Sequence, residues 1–543
     1  MDLRGANLPD DATALKRIIA EQAAALESAR SQVLAADARI IDLESEKWLL
    51  EEKVQDLIAR LYSRKSEKSS HFADAQALLF NEIEDIVARG PEFAYEPENE
   101  ESKRPSKKRR RRRVLADDLP RKERRIDIPE EEKICSCGTE KTVIGEDISE
   151  KLDYVPARAF VVRMIFPKYA CKSCHGEDDE GQAITRAPLP PLITGKSPLA
   201  PGLFAHITVS KFADALPFYR QEIILRRAGA DISRATMATL AIQVYQRLMP
   251  MKERMESLLK EAFLVGIDDT TLKVMNEKGR SNSQLSCMTH LRAQTRAGPV
   301  PYFLYHPTKE TDFLDDLLRG FSGRMITDGY AGYNGFAERI NVTHAGCNSH
   351  ARRKFTDAEK VSPGNPAVGE ILFIYKKLYR VEARLRESDA SENEIAKLRH
   401  EESRPLMDEL HGKLISLSGK VVPKSKLGKA VAYTLNEWTK LVRFLDDPVI
   451  PIDNNFVENG IRPFVVGRKN WLFSNTPNGA KASAFFYSLI EWAKALDLDP
   501  YLYMSYLFRN AASAVTEGDW DALLPLNLTA EFLEEESRQD AVS

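Results

Sequence analysis

The chain has 543 residues, 43% of them hydrophobic, and its 78 Lys and Arg nearly balance 81 Asp and Glu. That length exceeds one ordinary core, so three or more folded units are expected. No apolar run reaches the roughly 18 residues of a membrane span, the start MDLRGANLPDDATALK lacks the order of a secretory signal, and six cysteines exclude a disulfide scaffold, so a cytoplasmic protein without a membrane partner is expected.

In chain order, Leu15, Ile19, Gln22, Leu26, Ala29, Val33, Ala36, Ile40, Leu43, Lys47, Leu50, Val54, Leu57 and Leu61 follow alternating steps of four and three. This is a coiled-coil seam, and it predicts a homo-oligomer; a helix folding back on its own protein is the alternative. LYSRKSEKSS and PEFAYEPENEESKRP then read as linker. From Lys103 to Arg125, thirteen Lys or Arg face three acids, a local balance of +10 hidden by the overall net charge of −3. Such a block, with Arg109, Arg110 and Arg111 at its centre, neutralises phosphates wherever it lies; a solvated linker or a nuclear address is the blander reading.

CSCG carries Cys135 and Cys137, and CKSC carries Cys171 and Cys174, with Cys137 and Cys171 34 positions apart. Two such pairs fit a four-thiolate structural zinc site, with His175 as a substitute ligand and inert buried thiols as the alternative. Between them KLDYVPARAFVVRMIFPKYA alternates like the strands of a hairpin. Next, LPFYRQEIILRRAGADISRATMATLAIQVYQRLM shows two helical periods around AGAD. Gly229 suits the turn, Ser233 or Asp231 can cap the second helix, and Arg234 stands in its first turn. A helix-turn-helix presenting that helix to DNA and an ordinary helical hairpin both fit.

Two apolar strands then lead to acids: LVGI to Asp268 and Asp269, and MIT to Asp328 before a Gly-Tyr turn. In PIDNNFVENGIRPFVVGRKNWLF, Asp453 can cap a short helix that projects Glu458, anchored by Ile461 and Phe464. Three carboxylates on separate elements are what a two-metal phosphoryl-transfer site requires, with two hard divalent cations, Mg²⁺ or Mn²⁺, as cofactors. Arg462, Arg468 and Lys469 suit phosphates, Arg462 equally suits Glu458 or Asp453, and Trp471 reads as core. Cys347 and His350 in CNSH would need another pair to make a zinc site, with His344 and Cys287 the nearest chemistry in sequence, and a structural element near the active site is the other reading. Asn454 and Asn455 stand where they can orient Glu458 or DNA.

The strings IDDTT, TDGYAGYN, HAGCNSHARRKF and DNNFVENGIRPFVVGRKNWLF resemble the catalytic core of transposases of the insertion sequence sixty-six family. LYSRKSEK, LPFYRQE and SLIEWAKALDLDPYLYMSYL are similar to family text in the same order. The resemblance implies a multidomain α/β fold: N-terminal coiled coil, small β zinc-binding unit, helix-turn-helix, and RNase H-like α/β catalytic core with an α-helical insertion. It implies the triad Asp268, Asp328 and Glu458, with Asp269 replacing the family's Glu. It also places Cys347 and His350 in a C-x2-H element near the active site. The expected units are a coiled-coil helix over 1–68, a linker with the basic block over 69–125, a zinc-binding domain over 126–185 and a helix-turn-helix region over 186–255. After them come a first stretch of the RNase H-like core over 256–356, the α-helical insertion over 357–445, a second stretch of the core over 446–495 and a C-terminal segment over 496–543.

The implied partners are the insertion-sequence terminal repeats, target DNA and small accessory proteins, and the implied reaction is metal-dependent cleavage and strand transfer. A zinc-containing DNA-binding regulator and an RNase H-like nuclease without strand joining are the competing readings. One departure stands out: GRSNSQLSCMTHLRAQTRA, from Gly279 to Ala297, is more polar than the family's strand there, which leaves its pairing open.

Overall fold

A computed structural model describes residues 21–33, 36, 39, 47, 159–169 and 185–542. Cys135, Cys137, Cys171, Cys174, His175 and Arg109, Arg110 and Arg111 lie outside these residues, as does most of the expected coiled-coil seam. Residues 21–33 are helical, with every side chain exposed. The alternating segment before CKSC does not form the expected hairpin over its described portion. Only Lys168–Tyr169 (β1) is strand, and it pairs antiparallel with Thr185–Arg186 (β2), beyond the second cysteine pair. Phe160, Val162 and Met164 are exposed, so the alternation has no face to bury among the described residues.

Four helices come next: α1 (Pro201–Phe212), α2 (Phe218–Arg227), α3 (Arg234–Arg247) and α4 (Met249–Lys260). The turn between α2 and α3 holds Gly229 at a φ of +88°. Ser233 caps α3 by accepting from the Thr236 amide at 3.1 Å. The buried face of α3 is Met237, Leu240, Ala241 and Val244, which leaves Arg234 exposed at its first position.

The sheet has β3 (Leu264–Lys273), β4 (Leu285–Thr295), β5 (Gly298–His306), β6 (Arg324–Thr327) and β7 (Thr343–Gly346), in the spatial order β5-β4-β3-β6-β7. β3, β4 and β5 are antiparallel, whereas β3, β6 and β7 run parallel. Helices α5 (Asp312–Leu317) and α6 (Gly332–Ile340) flank β6 in sequence. Within the polar segment, Leu285–Gln294 pairs with β3 and Cys287–Thr295 with β5, which resolves the pairing left open by its composition. Two of its buried polar residues have side-chain partners: Ser286 donates to Glu277, and Thr289 Oγ1 donates to Asp269 Oδ1 at 2.6 Å. Such partners lower the cost of burying polar side chains in a central strand.

Between β7 and the last core helices lie α7 (Asn348–Val361), α8 (Pro366–Glu387), α9 (Glu392–Leu398), a π-helical turn at Arg399–Ser403, α10 (Arg404–Ser418), α11 (Lys426–Asn436) and α12 (Trp438–Leu441). The helical insertion expected from the amphipathic pattern is therefore present. Buried Arg399 ties it to the returning chain, with both guanidinium ends 2.8 Å from the Glu382 carboxylate and Nη1 donating to the carbonyls of Phe444 and Ile450. The chain ends in α13 (Asn455–Trp471), α14 (Pro477–Ala495), α15 (Pro500–Asn510), α16 (Glu517–Ala522) and α17 (Ala530–Val542).

Strand periodicity sends alternate side chains to two cores. Val265, Ile267 and Met325 enter a core shared with α1, α3, α14 and α15; Leu264, Ile326 and Ala345 enter another built with α7, α8, α10 and α11. Helix α13 straddles both. Phe456 packs against the second core while Ile461 and Phe464 lie in the first, so Glu458 is fixed between them.

Candidate active site

Asp268 lies in mid-strand rather than at a strand end, because β4 keeps pairing as far as Lys273. On its other side the parallel ladder to β6 stops at Gly266, so Asp268 stands just past the last residue that β6 covers. Asp328 follows the final residue of β6, and its Oδ1 accepts from the Tyr330 amide at 2.9 Å, closing the Gly-Tyr turn. The two aspartates thus stand side by side just beyond the end of the parallel β3–β6 ladder.

Glu458 comes from the first turn of α13. That helix approaches the sheet closely: a methyl group on Gly266 would lie 2.2 Å from Val457, and one on Gly460 would lie 2.2 Å from the His290 ring. Asn454 pins its start, donating from Nδ2 to the Ile267 carbonyl at 3.0 Å, one residue before Asp268. Asp453 accepts from the Asn455 amide at 3.1 Å and from its Nδ2 at 2.8 Å, so Asn455 is bound to Asp453 rather than to Glu458. The helix is 17 residues long and passes through Pro463, where a short one was expected. Burial of Ile461, Phe464 and Val465 on either side of the proline accounts for its continuation.

The four acids are coupled. Burial pushes the Asp268 carboxyl well above its ordinary value, and Glu458, Asp328 and Asp269 push it further, although some of its surface still meets solvent. Asp269 is otherwise engaged: it accepts from Thr289 Oγ1 and from the Tyr333 hydroxyl. Its oxygens are committed to holding the sheet to α6. Hard carboxylate oxygens with excess negative charge suit a divalent cation, so Asp268, Asp328 and Glu458 fit the expected cofactor.

Glu458 also has neighbours on α7. Its Oε2 accepts from Arg353 Nη2 at 3.1 Å, its Oε1 lies 3.2 Å from His350 Nδ1, and Cys347 Sγ donates to Oε1 at 3.9 Å. The arginine at Glu458 is therefore Arg353, not Arg462, and it stands one helical turn after His350. Neither Cys287 nor His344 completes the CNSH pair. Cys287 is on β4 opposite Thr271, and His344 on β7 contacts Thr327 Oγ1 at 2.8 Å. Burial of His344 lowers its pKa to about 3, which keeps the ring neutral.

The remaining cations divide. Lys469 is exposed and Arg462 half-exposed, but Arg468 is turned inward, donating from Nη1 to Thr270 Oγ1 at 3.0 Å and to Thr271 Oγ1 at 3.2 Å. That corrects its reading as a phosphate contact: it clips α13 to β3. Trp471 is partly buried, edge-on to Phe464 with ring centres 5.6 Å apart. The roles of Arg353, Thr289 and His290 escaped sequence reasoning. Arg353 alone had a visible signal, its three-residue spacing from His350 inside HAGCNSHARRKF.

Comparison with known proteins places the chain among the transposases. The chain belongs to the Transposase IS66 family, whose model matches residues 196–482. A zinc-finger binding domain of transposase IS66 matches residues 132–175, and the model described as Transposase C of IS166 homeodomain matches residues 49–124. Structural zinc and DNA binding follow from these domains. Three uncharacterized proteins of Sinorhizobium fredii (strain NBRC 101917 / NGR234) are similar along most of the chain. Protein y4qI is 31% identical over 97% of this chain and 99% of its own length. Protein y4jD is 32% identical over 76% and 82%, and y4hP 26% identical over 84% and 84%. Among the described residues no helix is long and apolar enough to cross a membrane.

Proposed function

We propose that this transposase cleaves DNA at the ends of an insertion sequence and joins the freed ends to target DNA, on an RNase H-like core. The observation that carries this reading is the convergence of Asp268, Asp328 and Glu458 from two parallel strands and one helix. The order β5-β4-β3-β6-β7, three strands antiparallel and two added in parallel, supports the RNase H-like description. Asp268, Asp328 and Glu458 would hold two divalent cations, Mg²⁺ or Mn²⁺, which when bound supply an activated nucleophile and stabilisation of the leaving oxygen.

The protein's own contribution is positioning. Asn454 fixes the start of α13 against β3, and Arg353 orients the Glu458 carboxylate. Asp269 stays a structural acceptor. Arg234 on α3, Arg462 and Lys469 on α13, and the block around Arg109, Arg110 and Arg111 would contact DNA phosphates, with the N-terminal helix assembling copies of the chain. Cys135, Cys137, Cys171 and Cys174 are the proposed zinc ligands, and the chain would work in the cytoplasm at the nucleoid, with or without accessory proteins.

The test uses purified protein and a labelled duplex carrying the element's end, incubated with Mg²⁺ or EDTA, with nicked and joined products resolved. Asp328→Asn and Glu458→Gln each remove several kcal/mol of transition-state stabilisation and should lower both products by on the order of 10³-fold, leaving end binding intact. Cleavage that survives either substitution removes that residue from the triad. Nicking without joining would instead favour a nuclease.

A further inference from the structure

Cys347, His350 and Glu458 are gathered by two elements that meet at the active site. Cys347 precedes α7, His350 is in its first turn, and Glu458 faces both from α13. Among the described residues they form a set whose candidate ligand atoms all lie within 4.8 Å of one another. We propose that these three residues bind a thiophilic divalent cation of the zinc class, distinct from the structural zinc of the N-terminal domain and sharing Glu458 with the triad.

Three observations support this assignment. The first is spacing: bonds to zinc of about 2.0–2.3 Å at tetrahedral angles put ligand atoms roughly 3.3–3.6 Å apart. The observed separations are 3.2 Å from His350 Nδ1 to Glu458 Oε1 and 3.9 Å from Cys347 Sγ to the same oxygen. The second is that His350 Nδ1, though buried and this close to a carboxylate, makes no hydrogen bond. Two atoms held side by side without bonding to each other are arranged as ligands of a common ion are.

The third is the setting of the sulfur. The Asn454 amide donates to Cys347 Sγ at 3.2 Å, and the His350 amide points at it as well. The backbone thereby holds the sulfur in a fixed position beside Glu458 Oε1, where a ligand of a shared cation would stand. Arg353 does not compete for the position, because it engages Oε2 and leaves Oε1 facing the Cys-His pair. Three protein ligands leave the fourth tetrahedral position to water. With such a cation bound, Glu458 is oriented by a bond to metal as well as by Arg353.

The inference uses Glu458 but not its role in DNA joining, and its test needs no DNA. Full-length protein, Cys347→Ser and His350→Asn are saturated with Zn²⁺, desalted and analysed for zinc per chain, with folding checked by circular dichroism. The wild type should retain one zinc per chain more than either variant. After Co²⁺ loading, the wild type minus Cys347→Ser difference spectrum should contain a thiolate-to-cobalt charge-transfer band. Equal zinc in the wild type and a folded variant, or a difference spectrum without that band, overturns the site. If burial makes Cys347→Ser unstable, the partly exposed His350 provides the deciding variant, and zinc fully retained by His350→Asn would also overturn it. Loss of joining in Glu458→Gln with zinc content unchanged would support the triad and count against this site.

Discussion

Asp268 faces three other carboxylates, and burial together with Glu458, Asp328 and Asp269 raises its proton affinity. Below its ordinary value of 3.8, folded and unfolded chains both hold the proton. As the pH rises from there towards the raised value, the unfolded chain ionises first, so cation-free protein loses stability over that window and carries the loss at higher pH. Asp268→Asn removes the penalty. Its cation-free melting temperature at pH 7 should rise by roughly 2–4 °C, the shift that ~1 kcal/mol produces in a domain of this size. Mg²⁺ should raise the melting temperature of the wild type but not of Asp268→Asn, since only the wild type retains the full ligand set. Calorimetric scans with and without Mg²⁺ check both, and a less stable cation-free Asp268→Asn would contradict the account of mutual repulsion. At this scale the sequence was most readable in the acids, because an ionisable group placed directly after an apolar strand must find a partner. The groups that serve them were not readable. Thr289 reaches Asp269 only through the β3–β4 register, and His290 contacts the Val457 carbonyl only because α13 crosses that strand.

Helix α13 depends on small residues where it meets the sheet. A methyl group on Gly460 would lie 2.2 Å from His290 Cε1, and that ring cannot easily withdraw: it stacks on Phe303 with centres 4.3 Å apart and Nδ1 lies 3.1 Å from the Val457 carbonyl oxygen. Gly460→Ala should therefore cost ~1–3 kcal/mol by overpacking, despite alanine's higher helix propensity. Gly412, on the exposed face of α10, has nothing within 4 Å of the added methyl, so Gly412→Ala should stabilise by roughly 0.5–1 kcal/mol. Urea titrations of the two variants should shift in opposite directions; a stabilised Gly460→Ala would mean that α13 stands further from β4. The contrast also shows what local sequence conveys about elements. The amphipathic periods of the insertion were legible, as was the Ser233 cap, because both are decided within a few residues. The full length of α13 was not, since the proline rule weighs against a helix that long and only tertiary burial outweighs it. Nor was the centrality of β4, where Ser286, Thr289 and His290 Nδ1 find partners in Glu277, Asp269 and Val457.

At the scale of the molecule, the parallel pairing of β3 with β6 joins Leu264 to Arg324 across two intervening strands and a helix, a long-range choice that local patterning does not encode. The proposed self-association is the opposite case, since it rests on a single long period in the sequence. Within it Leu26 is 70% and Val33 59% exposed on the described helix, so the apolar seam has no cover from the chain's own described residues. Burying a side chain of this size stabilises by about 1.5–3 kcal/mol, so charging two seam positions in one helix should weaken its pairing by on the order of 10²–10⁴-fold. We expect the full-length Leu26→Asp, Val33→Asp double variant to sediment at a lower mass than the wild type at the same concentration. Circular dichroism of the catalytic core should be unchanged, because both side chains face solvent in the single chain. The position of these residues separates the two readings of the seam. A helix that folds back on its own protein would lose that internal contact without changing mass. Sedimentation unaltered by both charges would therefore assign assembly of the transposase to another surface.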